Sequence, residues 1–503
     1  MIDLTVAQVA EIVGGTLADI TAEQAALRRV TGTVEFDSRA VGPGGLFLAL
    51  PGARADGHEF AAAAAAAGAV AVLSARPVGV PAIVVPPAAE DSGADPHAGV
   101  LEHDTDGAGA AVLAALARLA AAVAAELVGG GLRIIGITGS SGKTSTKDLI
   151  AAVLRPLGEV VAPPGSFNNE LGHPWTVLRA TRDTDFLVLE MSARHRGNIA
   201  ALARIAPPSI AVVLNVGTAH LGEFGSREMI AMTKAELVQA LPATGVAVLN
   251  ADDPVVAAMA GQTVARVVTA GRSESADVRA VDVELDELAR PRFVLVTPAG
   301  RAAVTLAVHG EHQVGNALCA AAVALECGAT PDSVAAALAG AGPASRHRME
   351  VRTRPDGVTV INDAYNANPD SMRAGLQALA VMARRSGRRS WAVLGEMGEL
   401  GQDSITEHDR VGRLAVRLDI SRLVVVGTGR PMSAMHHGAV MEGSWGPEST
   451  MVDDADAALE LLRGELEPGD VVLVKASNAA GLGALADALA GDTAGDSAGD
   501  TAG

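Results

Sequence analysis

LRIIGITGSSGKT, residues 132–144, joins a run of apolar residues to a glycine-rich loop, and the helix-like stretch STKDLI follows it. The apolar run is typical of a strand that is buried on both faces. A glycine loop between a strand and a helix directs backbone N–H groups at phosphates, Lys143 can reach the outer phosphates, and Thr144 can bind Mg²⁺. This stretch therefore predicts a nucleotide-phosphate site on an α/β sheet.

The loop is shorter than the common phosphate loop, G-x-x-x-x-G-K-[ST]. Ile137 stands where the first glycine of that pattern would be, and the spacing here is Gly139-x-x-Gly142. The alternative is a chance Gly-Lys-Thr after a strand. We take the strand and helix on either side to favour the phosphate site, whose predicted residues are Thr138, Gly139, Ser140, Ser141, Gly142, Lys143 and Thr144.

Further apolar runs, at residues 185–191, 210–216 and 246–250, are separated by helix-like segments. Such strands predict a mostly parallel sheet. A hairpin (293–297 and 303–308) and a helix (312–326) should follow. The same strand–helix rhythm returns from residue 345, but without a G-x-G-x-x-G motif for a dinucleotide.

The chain of 503 residues is long enough for about three domains, at roughly 100–200 residues each. We predict an α/β fold with an N-terminal domain (1–107), a central phosphate-loop domain (108–344) and a Rossmann-like C-terminal domain (345–490). The low-complexity tail, 491–503, is predicted to be disordered.

Composition narrows the possible partners and the compartment. A net charge of −19 disfavours a nucleic-acid partner. Cys319 and Cys327 form no metal or disulfide pattern, which fits a reducing cytoplasm, and the N-terminus lacks the features of a signal peptide. The apolar segment 108–129 carries Arg118 near its middle, so we expect a helix of a water-soluble protein and no membrane span.

Three polar residues lie downstream of the loop in the chain. Glu190 ends an apolar run, where a carboxylate can meet the Mg²⁺ of a phosphate loop. His220 lies just past the next run, and Lys234 comes 14 residues later on a predicted helix. Each alone is typical of a solvated surface group, but together they favour a shared site.

The short loop, Glu190, His220 and Lys234 together resemble the Mur ligase superfamily, which includes folylpolyglutamate and cyanophycin synthetases. The resemblance implies ATP, two Mg²⁺ ions and a carbamylated Lys234. Carbamylation is chemically reasonable, because an ammonium would repel Mg²⁺ whereas a carbamate supplies an anionic oxygen. The implied metal ligands are Thr144, Glu190, His220 and Lys234, and the implied catalytic residues are Lys143, Lys234, His220 and Arg348.

Three later segments match superfamily elements around the nucleotide. GEHQVGN (310–316) places Asn316 where an asparagine contacts the base. PASRHRME (343–350) places Arg348 toward the γ-phosphate, with Arg346 as a nearby alternative. INDAYNANPDSM (361–372) resembles the loop that closes over ATP, with Asp363 and Tyr365, although such Asn/Pro/Asp loops are often only turns.

Other segments resemble one branch of the superfamily. The segment DSR (37–39), followed by DGHEF, resembles the uridine-nucleotide domain of the last two Mur ligases. GSFNNELGHPWTVLR (165–179) and EMSARHRGNI (190–199) resemble the branch that adds D-alanyl-D-alanine. At 475–478 the chain reads Lys-Ala-Ser-Asn, where many members read Lys-Gly-Ser-Arg. The implied substrate residues are Asp37, Ser38, Arg39, Asn168, Asn169, Ser192, Asn366, Asn368 and Lys475.

The resemblance implies a monomeric, cytoplasmic enzyme of peptidoglycan synthesis. It would use ATP to join D-alanyl-D-alanine to UDP-N-acetylmuramoyl-tripeptide through an acyl phosphate. The main alternative is the sibling ligase that adds the third stem amino acid, but its Asp-Asn-Pro-Arg signature does not occur in the chain. Folylpolyglutamate synthetase lacks a uridine-binding domain. A phosphate-loop kinase or nucleotide switch would explain TGSSGKT but not His220, Lys234 and an added α/β domain.

Overall fold

The computed structural model describes residues 1–491 except 53–54, 86, 88–100, 102–103, 219–220 and 444–447. Three main sheets, each packed against helices, organise the described chain. Most neighbouring strands in all three sheets run parallel. The predicted α/β fold class is confirmed.

The first sheet has the order β2-β7-β6-β5-β4, in which only the β2–β7 pair is antiparallel, and β1 pairs with β3. Helix α1 begins with a capping box between Thr5 and Gln8 and ends at Gly14, whose φ of 65° suits glycine. The elements are β1 Leu4–Thr5, α1 Val6–Val13, β2 Thr16–Ala18, α2 Ala22–Leu27, β3 Arg29–Val30, β4 Val34–Glu35, β5 Leu46–Leu48, a 3₁₀ turn Gly57–Phe60, α3 Ala61–Ala66, β6 Ala71–Ser74 and β7 Ala82–Val84.

Helix α4, Ala108–Gly129, connects the first sheet to the second. Its length and composition alone would allow it to cross a membrane, but more than half of its most apolar window is buried inside the protein. Its Arg118 guanidinium donates to the carbonyl oxygen of Val13 at 2.7 and 3.1 Å. These contacts are those of a core helix, as the central arginine predicted.

The second sheet has the order β16-β15-β14-β13-β12-β11-β8-β10-β9, parallel from β9 to β14 and antiparallel through β15 and β16. Ile134 of β8 packs with α4 and α9, whereas Ile135 and Ile137 pack with α5 and α11 on the opposite face. The elements are β8 Arg133–Thr138, α5 Lys143–Leu154, β9 Val160–Val161, α6 Gly172–Val177, β10 Phe186–Glu190, α7 Asn198–Ile205, β11 Ile210–Val213, α8 Leu221–Phe224, α9 Arg227–Gln239, β12 Val246–Asn250, α10 Pro254–Ala257, β13 Arg266–Gly271, β14 Val278–Leu285, β15 Pro291–Thr297, β16 Gly300–Thr305, α11 Gln313–Glu326 and α12 Pro331–Gly340.

The third sheet has the order β17-β18-β22-β19-β20-β21, and only the β17–β18 pair is antiparallel. Helices cover both of its faces. The elements are β17 Glu350–Thr353, β18 Thr359–Asn362, α13 Pro369–Ser386, β19 Ser390–Leu394, α14 Ser404–Arg417, β20 Arg422–Val426, α15 Arg430–Glu442, β21 Ser449–Val452, α16 Ala455–Glu465, β22 Val471–Lys475 and α17 Leu482–Leu489.

The predicted domain boundaries, after residues 107 and 344, fall between the three sheets and remain predictions. The expected hairpin and the helix before residue 326 are confirmed as β15–β16 and α11. The predicted disordered tail, 491–503, lies outside the described residues except for Gly491, and so does most of the acidic stretch 88–107.

Candidate active site

The glycine loop lies between β8 and α5, as predicted. The Thr138 hydroxyl donates to the carbonyl oxygen of Met191 at 2.9 Å, which ties the end of β8 to the end of β10. Gly142 precedes the first helical residue with a φ of 81°, and a Cβ there would lie 2.8 Å from Oδ1 of Asn316. Glycine is therefore needed at 142 for both its backbone conformation and its small size.

Asn215 holds the middle of the loop, a contact that the sequence prediction missed. Its Oδ1 accepts from the Ser141 amide at 2.9 Å, and its Nδ2 donates to the Ser141 carbonyl oxygen at 3.1 Å. The Ser140 hydroxyl in turn accepts from the amide of Gly217 at 2.9 Å. Asn215 follows β11, the parallel neighbour of β8. Its position just past a strand end is the sequence feature from which this contact could have been predicted.

Lys143 is folded back onto the loop, where its Nζ donates to the carbonyl oxygen of Gly139 at 2.7 Å. Burial lowers the pKa of the Lys143 ammonium, and the Glu190 carboxylate opposes that effect. The loop amides and the start of α5 provide hydrogen-bond donors and the positive end of a helix dipole. This part of the site is suited to a triphosphate.

Glu190 meets the loop, as its place at the end of β10 predicted. Its Oε2 accepts hydrogen bonds from the hydroxyls of Thr144 and Ser166, both at 3.2 Å, and from Nδ2 of Asn168 at 3.4 Å. Its Oε1 is buried and has no hydrogen-bond partner among the described residues. A buried carboxylate oxygen beside a threonine hydroxyl fits a hard divalent cation, which prefers oxygen ligands. Ser166 was not predicted.

The structure separates the two candidate arginines. An Nη of Arg348 donates to the Thr144 hydroxyl at 3.2 Å, and its guanidinium lies 4.1 Å from the ring centre of Tyr365. An Nη of Arg346 instead donates to Asp487 at 3.3 Å. Of the two, Arg348 is placed beside the phosphate loop.

Lys234 lies on α9 and is 4% exposed. Burial lowers the pKa of its amine well below the usual range, and the Lys143 ammonium lowers it further. His220 lies outside the described residues. Within the described ranges, no group of three or more His, Cys, Asp or Glu side chains could hold a metal ion. The second metal site therefore stays a prediction.

Asn316 and the loop at 166–169 lie next to the phosphate loop and Glu190. Nδ2 of Asn316 donates to Oε1 of Gln313 at 2.8 Å, while its Oδ1 faces Gly142. The Ser192 amide donates to the carbonyl oxygen of Asn168 at 3.1 Å, which joins two of the predicted substrate residues. A third, Asn169, accepts from the Gly172 amide at 2.8 Å and so helps to start α6.

The predicted uridine-site residues lie at the junction of the first two sheets. Asp37 and Arg39 form an exposed ion pair at 2.8 Å, with Ser38 between them. The preceding residue, Phe36, contacts the Trp175 ring edge to face, with 5.8 Å between ring centres. Phe167 contacts the same ring, with 4.5 Å between ring centres. These aromatic contacts connect the first domain to the loop beside Glu190.

Four predicted residues of the third domain share one stretch of chain, and a fifth, Lys475, contacts it from the end of β22. The four are Asp363, Tyr365, Asn366 and Asn368. Oδ1 of Asn368 accepts from the Ser371 amide at 2.9 Å and so caps α13. Lys475 is 2% exposed, and its Nζ donates to Oδ2 of Asp363 at 2.6 Å and to the carbonyl oxygen of Asn366 at 2.9 Å. Its ammonium therefore binds this loop, which the sequence did not predict.

The third domain docks beside the phosphate loop. The Thr218 amide donates to Asp370 of α13 at 3.3 Å, and Arg194 pairs with Glu399 at 3.1 Å. A cavity of about 420 Å³ lies at this junction. Its lining consists of Ser141, Asn215, Val216, Gly217, Thr218, Arg227, Asp253 and Asp370. Groups from both domains thus surround one space next to the loop.

Comparison with known proteins gives the same family over nearly the whole chain. Residues 32–121 match the Mur ligase family catalytic domain, 137–324 the Mur ligase middle domain, and 347–478 the Mur ligase glutamate ligase domain. The chain is 74% identical over 501 residues to the UDP-N-acetylmuramoyl-tripeptide–D-alanyl-D-alanine ligase of Mycobacterium tuberculosis H37Rv, covering 97% of this chain and 98% of that one.

Solved structures agree with this result. A MurF structure from Acinetobacter baumannii has a TM-score of 0.81 and 29% identity, covering 97% of this chain and 99% of that one. A MurF ligase from Thermotoga maritima, solved in complex with ADP, has a TM-score of 0.74 and 28% identity, covering 92% and 98%. With the phosphate loop, Glu190 and Arg348 brought together, these similarities establish that the chain belongs to the Mur ligase family.

Proposed function

We propose that this protein is an ATP-dependent ligase that joins D-alanyl-D-alanine to UDP-N-acetylmuramoyl-tripeptide, forming the pentapeptide precursor of peptidoglycan and releasing ADP and phosphate. The observation that carries this proposal is the 74% identity, over 97% of the chain, to the Mycobacterium tuberculosis ligase of that name. The site supports it, because the phosphate loop, Glu190 and Arg348 meet at Thr144.

Each of the three predicted domains has a proposed role. Residues 1–107 bind the uridine nucleotide through Asp37, Ser38 and Arg39. Residues 108–344 bind ATP, and residues 345–490 close over it. The aromatic contacts of Trp175 support this division, because they place the first domain beside the loop next to Glu190.

Two metal sites belong to the proposal. Thr144 and Glu190 would hold one Mg²⁺, and His220 with carbamylated Lys234 would hold the other. When bound, Mg²⁺ neutralises negative charge on the triphosphate. The surroundings of Lys234 support carbamylation, because it is buried beside Lys143 without a carboxylate partner among the described residues. Addition of CO₂ would turn this repulsive pair into an attractive one.

The chemistry follows from the weakness of a carboxylate as an electrophile. An oxygen of the terminal tripeptide carboxylate attacks the γ-phosphorus of ATP, ADP leaves, and an acyl phosphate results. The amine of D-alanyl-D-alanine attacks the acyl carbon through a tetrahedral intermediate, which expels phosphate and a proton. Lys143, the loop amides and Arg348 hold the phosphates and offset their charge, so the protein acts mainly by positioning and electrostatics.

The remaining substrate contacts are assigned from where the predicted residues lie relative to Glu190 and the third domain. Asn168, Asn169 and Ser192 lie next to Glu190 and would face the tripeptide end, whereas Asn366 and Asn368 would face the dipeptide from the third domain. We place the enzyme in the cytoplasm, where ATP is available, as a monomer without a nucleic-acid partner. The net charge of −19 supports the last point, because it repels phosphate backbones.

One assay distinguishes this function from its alternatives. Phosphate release from ATP is measured with UDP-N-acetylmuramoyl-tripeptide plus D-alanyl-D-alanine, with the corresponding dipeptide precursor plus a diamino acid, and with folate plus glutamate. We expect phosphate release only in the first reaction. Turnover only with the diamino acid would assign the sibling activity, and turnover with ATP alone would favour a nucleotide switch.

We predict that Lys143→Ala and Lys234→Ala each abolish ADP formation and leave the fold intact. Loss of Lys143 removes the cation nearest the loop, and loss of Lys234 removes the predicted carbamate. ADP formation is measured by a coupled assay and folding by circular dichroism. Near-normal turnover in either variant would remove that residue from the mechanism. For the carbamate itself, ¹³C-labelled bicarbonate should give an NMR signal that Lys234→Arg lacks.

A further inference from the structure

Lys475 ends β22, and its side chain is enclosed within the third domain. Its Nζ lies 2.6 Å from Oδ2 of Asp363, 3.3 Å from the Asp363 carbonyl oxygen and 2.9 Å from the Asn366 carbonyl oxygen. Gly375 packs against the aliphatic part of this side chain, since a Cβ there would lie 3.4 Å from Cδ of Lys475. The three acceptors match the three donors of an ammonium, so Lys475 holds both ends of loop 363–366.

That loop holds the backbone on both sides of Arg348. Oδ1 of Asp363 accepts from the Met349 amide at 3.0 Å, and the Tyr365 amide donates to the His347 carbonyl oxygen at 3.3 Å. His347 and Met349 have φ angles of 56° and 52°, in the left-handed region. Residues other than glycine rarely adopt this conformation, so it requires such restraint from neighbouring groups.

The loop also fixes the Arg348 side chain. The Tyr365 ring lies 4.1 Å from the guanidinium carbon, and the guanidinium reaches the Thr144 hydroxyl at 3.2 Å. A continuous series of contacts therefore runs from Lys475 through Asp363 and its loop to Arg348 at the phosphate loop.

We propose that Lys475 is a positioning residue for Arg348, and that its ammonium acts on phosphoryl transfer by holding the loop that orients the guanidinium. This inference rests on the proposed ligase function. It differs from direct contact between Lys475 and the dipeptide, because all three ammonium donors already have partners within the third domain.

A double-mutant cycle tests this coupling. Lys475→Met, Arg348→Ala and the double variant are compared with wild type for kcat and for the KM of each substrate, from dipeptide-dependent phosphate release. We expect Lys475→Met to lower kcat about tenfold or more, and the double variant to lie within about threefold of Arg348→Ala. The proposal would be overturned if the losses of the two single variants multiplied in the double variant. A rise confined to the KM for D-alanyl-D-alanine would overturn it as well.

Arg389→Met is the matched control. Arg389 pairs at 2.7 Å with Asp470, a buried aspartate directly before β22, at the opposite end of the strand from Lys475. This variant also breaks an ion pair in the third domain, but its effect on kcat should be small and should multiply with that of Arg348→Ala. If Lys475→Met does not fold, Asp363→Asn replaces it in the cycle, because this change weakens the same ion pair.

A crystal structure of Lys475→Met gives a readout that does not depend on activity. We expect the Arg348 guanidinium to leave Thr144 and Tyr365, whereas an unchanged guanidinium would overturn the positioning role. A wild-type enzyme without dipeptide-dependent phosphate release would instead contradict the proposed function. The two failures are therefore distinguishable.

Discussion

The two oxygens of the Glu190 carboxylate have different surroundings. Oε2 accepts from Thr144, Ser166 and Asn168, whereas the buried Oε1 has no hydrogen-bond partner in the part of the chain that the structure describes. Three donors on one oxygen fix the orientation of the carboxylate, and the other oxygen is oriented by the same contacts. Single side chains thus determine where a cation and the γ-phosphate would lie.

Asp56 allows a test of stability against pH away from the active site. The amide of Ala75 donates to Nε2 of His58, so Nδ1 of His58 carries the proton that it donates to Asp56 at 2.6 Å. Burial alone would raise the pKa of Asp56, but hydrogen bonds from His58 and Arg76 outweigh it and lower the pKa to about 2.

Because an unfolded aspartate titrates near pH ~3.9, the Asp56 carboxylate stabilises the fold above that pH. This contribution is lost as the pH falls from about 4 to about 2. We expect Asp56→Asn to lower the free energy of unfolding at neutral pH, measured by urea denaturation. The difference from wild type should shrink across this window. A difference that stays constant with pH would contradict this assignment.

The sequence predicted those site residues whose roles follow from the residues next to them in the chain. Lys143 and Thr144 follow the loop glycines directly, and Glu190 ends an apolar strand. The burial of Lys475 and the contacts of Asn215 were not predictable in this way, because their partners are distant in sequence. His220, whose role was implied by the family resemblance, lies outside the described residues and stays a prediction.

At the scale of elements, neighbouring strands hold β8 and the loop that leads into α5. The strand is hydrogen-bonded to β10 and β11 on its two sides, and residues at their ends contact the loop through Met191 and Asn215. Parallel strands bring their carboxyl ends to one edge of a sheet, which is where ligands bind in open α/β sheets. The site therefore results directly from the strand order.

Gly142→Ala tests the loop conformation. We expect about 1–2 kcal/mol of destabilisation from a left-handed alanine, together with a large loss of ATP turnover, because the new Cβ would displace Asn316. Thermal unfolding with and without an ATP analogue measures both effects. Gly261→Ala, where a Cβ meets no atom within 4 Å, is the control. A variant that ATP stabilises as strongly as wild type would contradict the expected loop conformation.

Strands that are apolar on both faces were predictable from the sequence, whereas the alternating strand β14 was not. The continuous runs became β8, β10, β11 and β12. Strand β14 alternates buried residues with more exposed ones, and a search for continuous apolar runs misses such a strand. The left-handed backbone at Met349 also had no local signal, because methionine rarely adopts this conformation.

In the whole molecule, the third domain lies against the central one around the phosphate loop. Gly222 and Gly401 approach so closely that a Cβ on Gly222 would lie 2.6 Å from the amide nitrogen of Gly401. The ion pair between Arg194 and Glu399 flanks this contact. The same domain arrangement that brings Gly401 against Gly222 therefore also places Arg348 beside Thr144.

Gly222→Ala should separate the two domains. We expect a larger radius of gyration by small-angle X-ray scattering and a fall in kcat of about ten- to hundredfold, because the reacting groups lie on different domains. Gly261→Ala again serves as the control for an added methyl group. An unchanged radius of gyration with normal kcat would show that this close contact is not needed for turnover.

The most direct test of the central claim follows the oxygen atoms of the substrate. UDP-N-acetylmuramoyl-tripeptide with ¹⁸O in its terminal carboxylate is incubated with ATP and D-alanyl-D-alanine, and the released phosphate is analysed by mass spectrometry. An acyl-phosphate ligase must transfer one carboxylate oxygen to each phosphate, so we predict one ¹⁸O per phosphate from fully labelled carboxylate. Phosphate that contains no ¹⁸O, formed at the same rate as the amide, would contradict the mechanism proposed for this site.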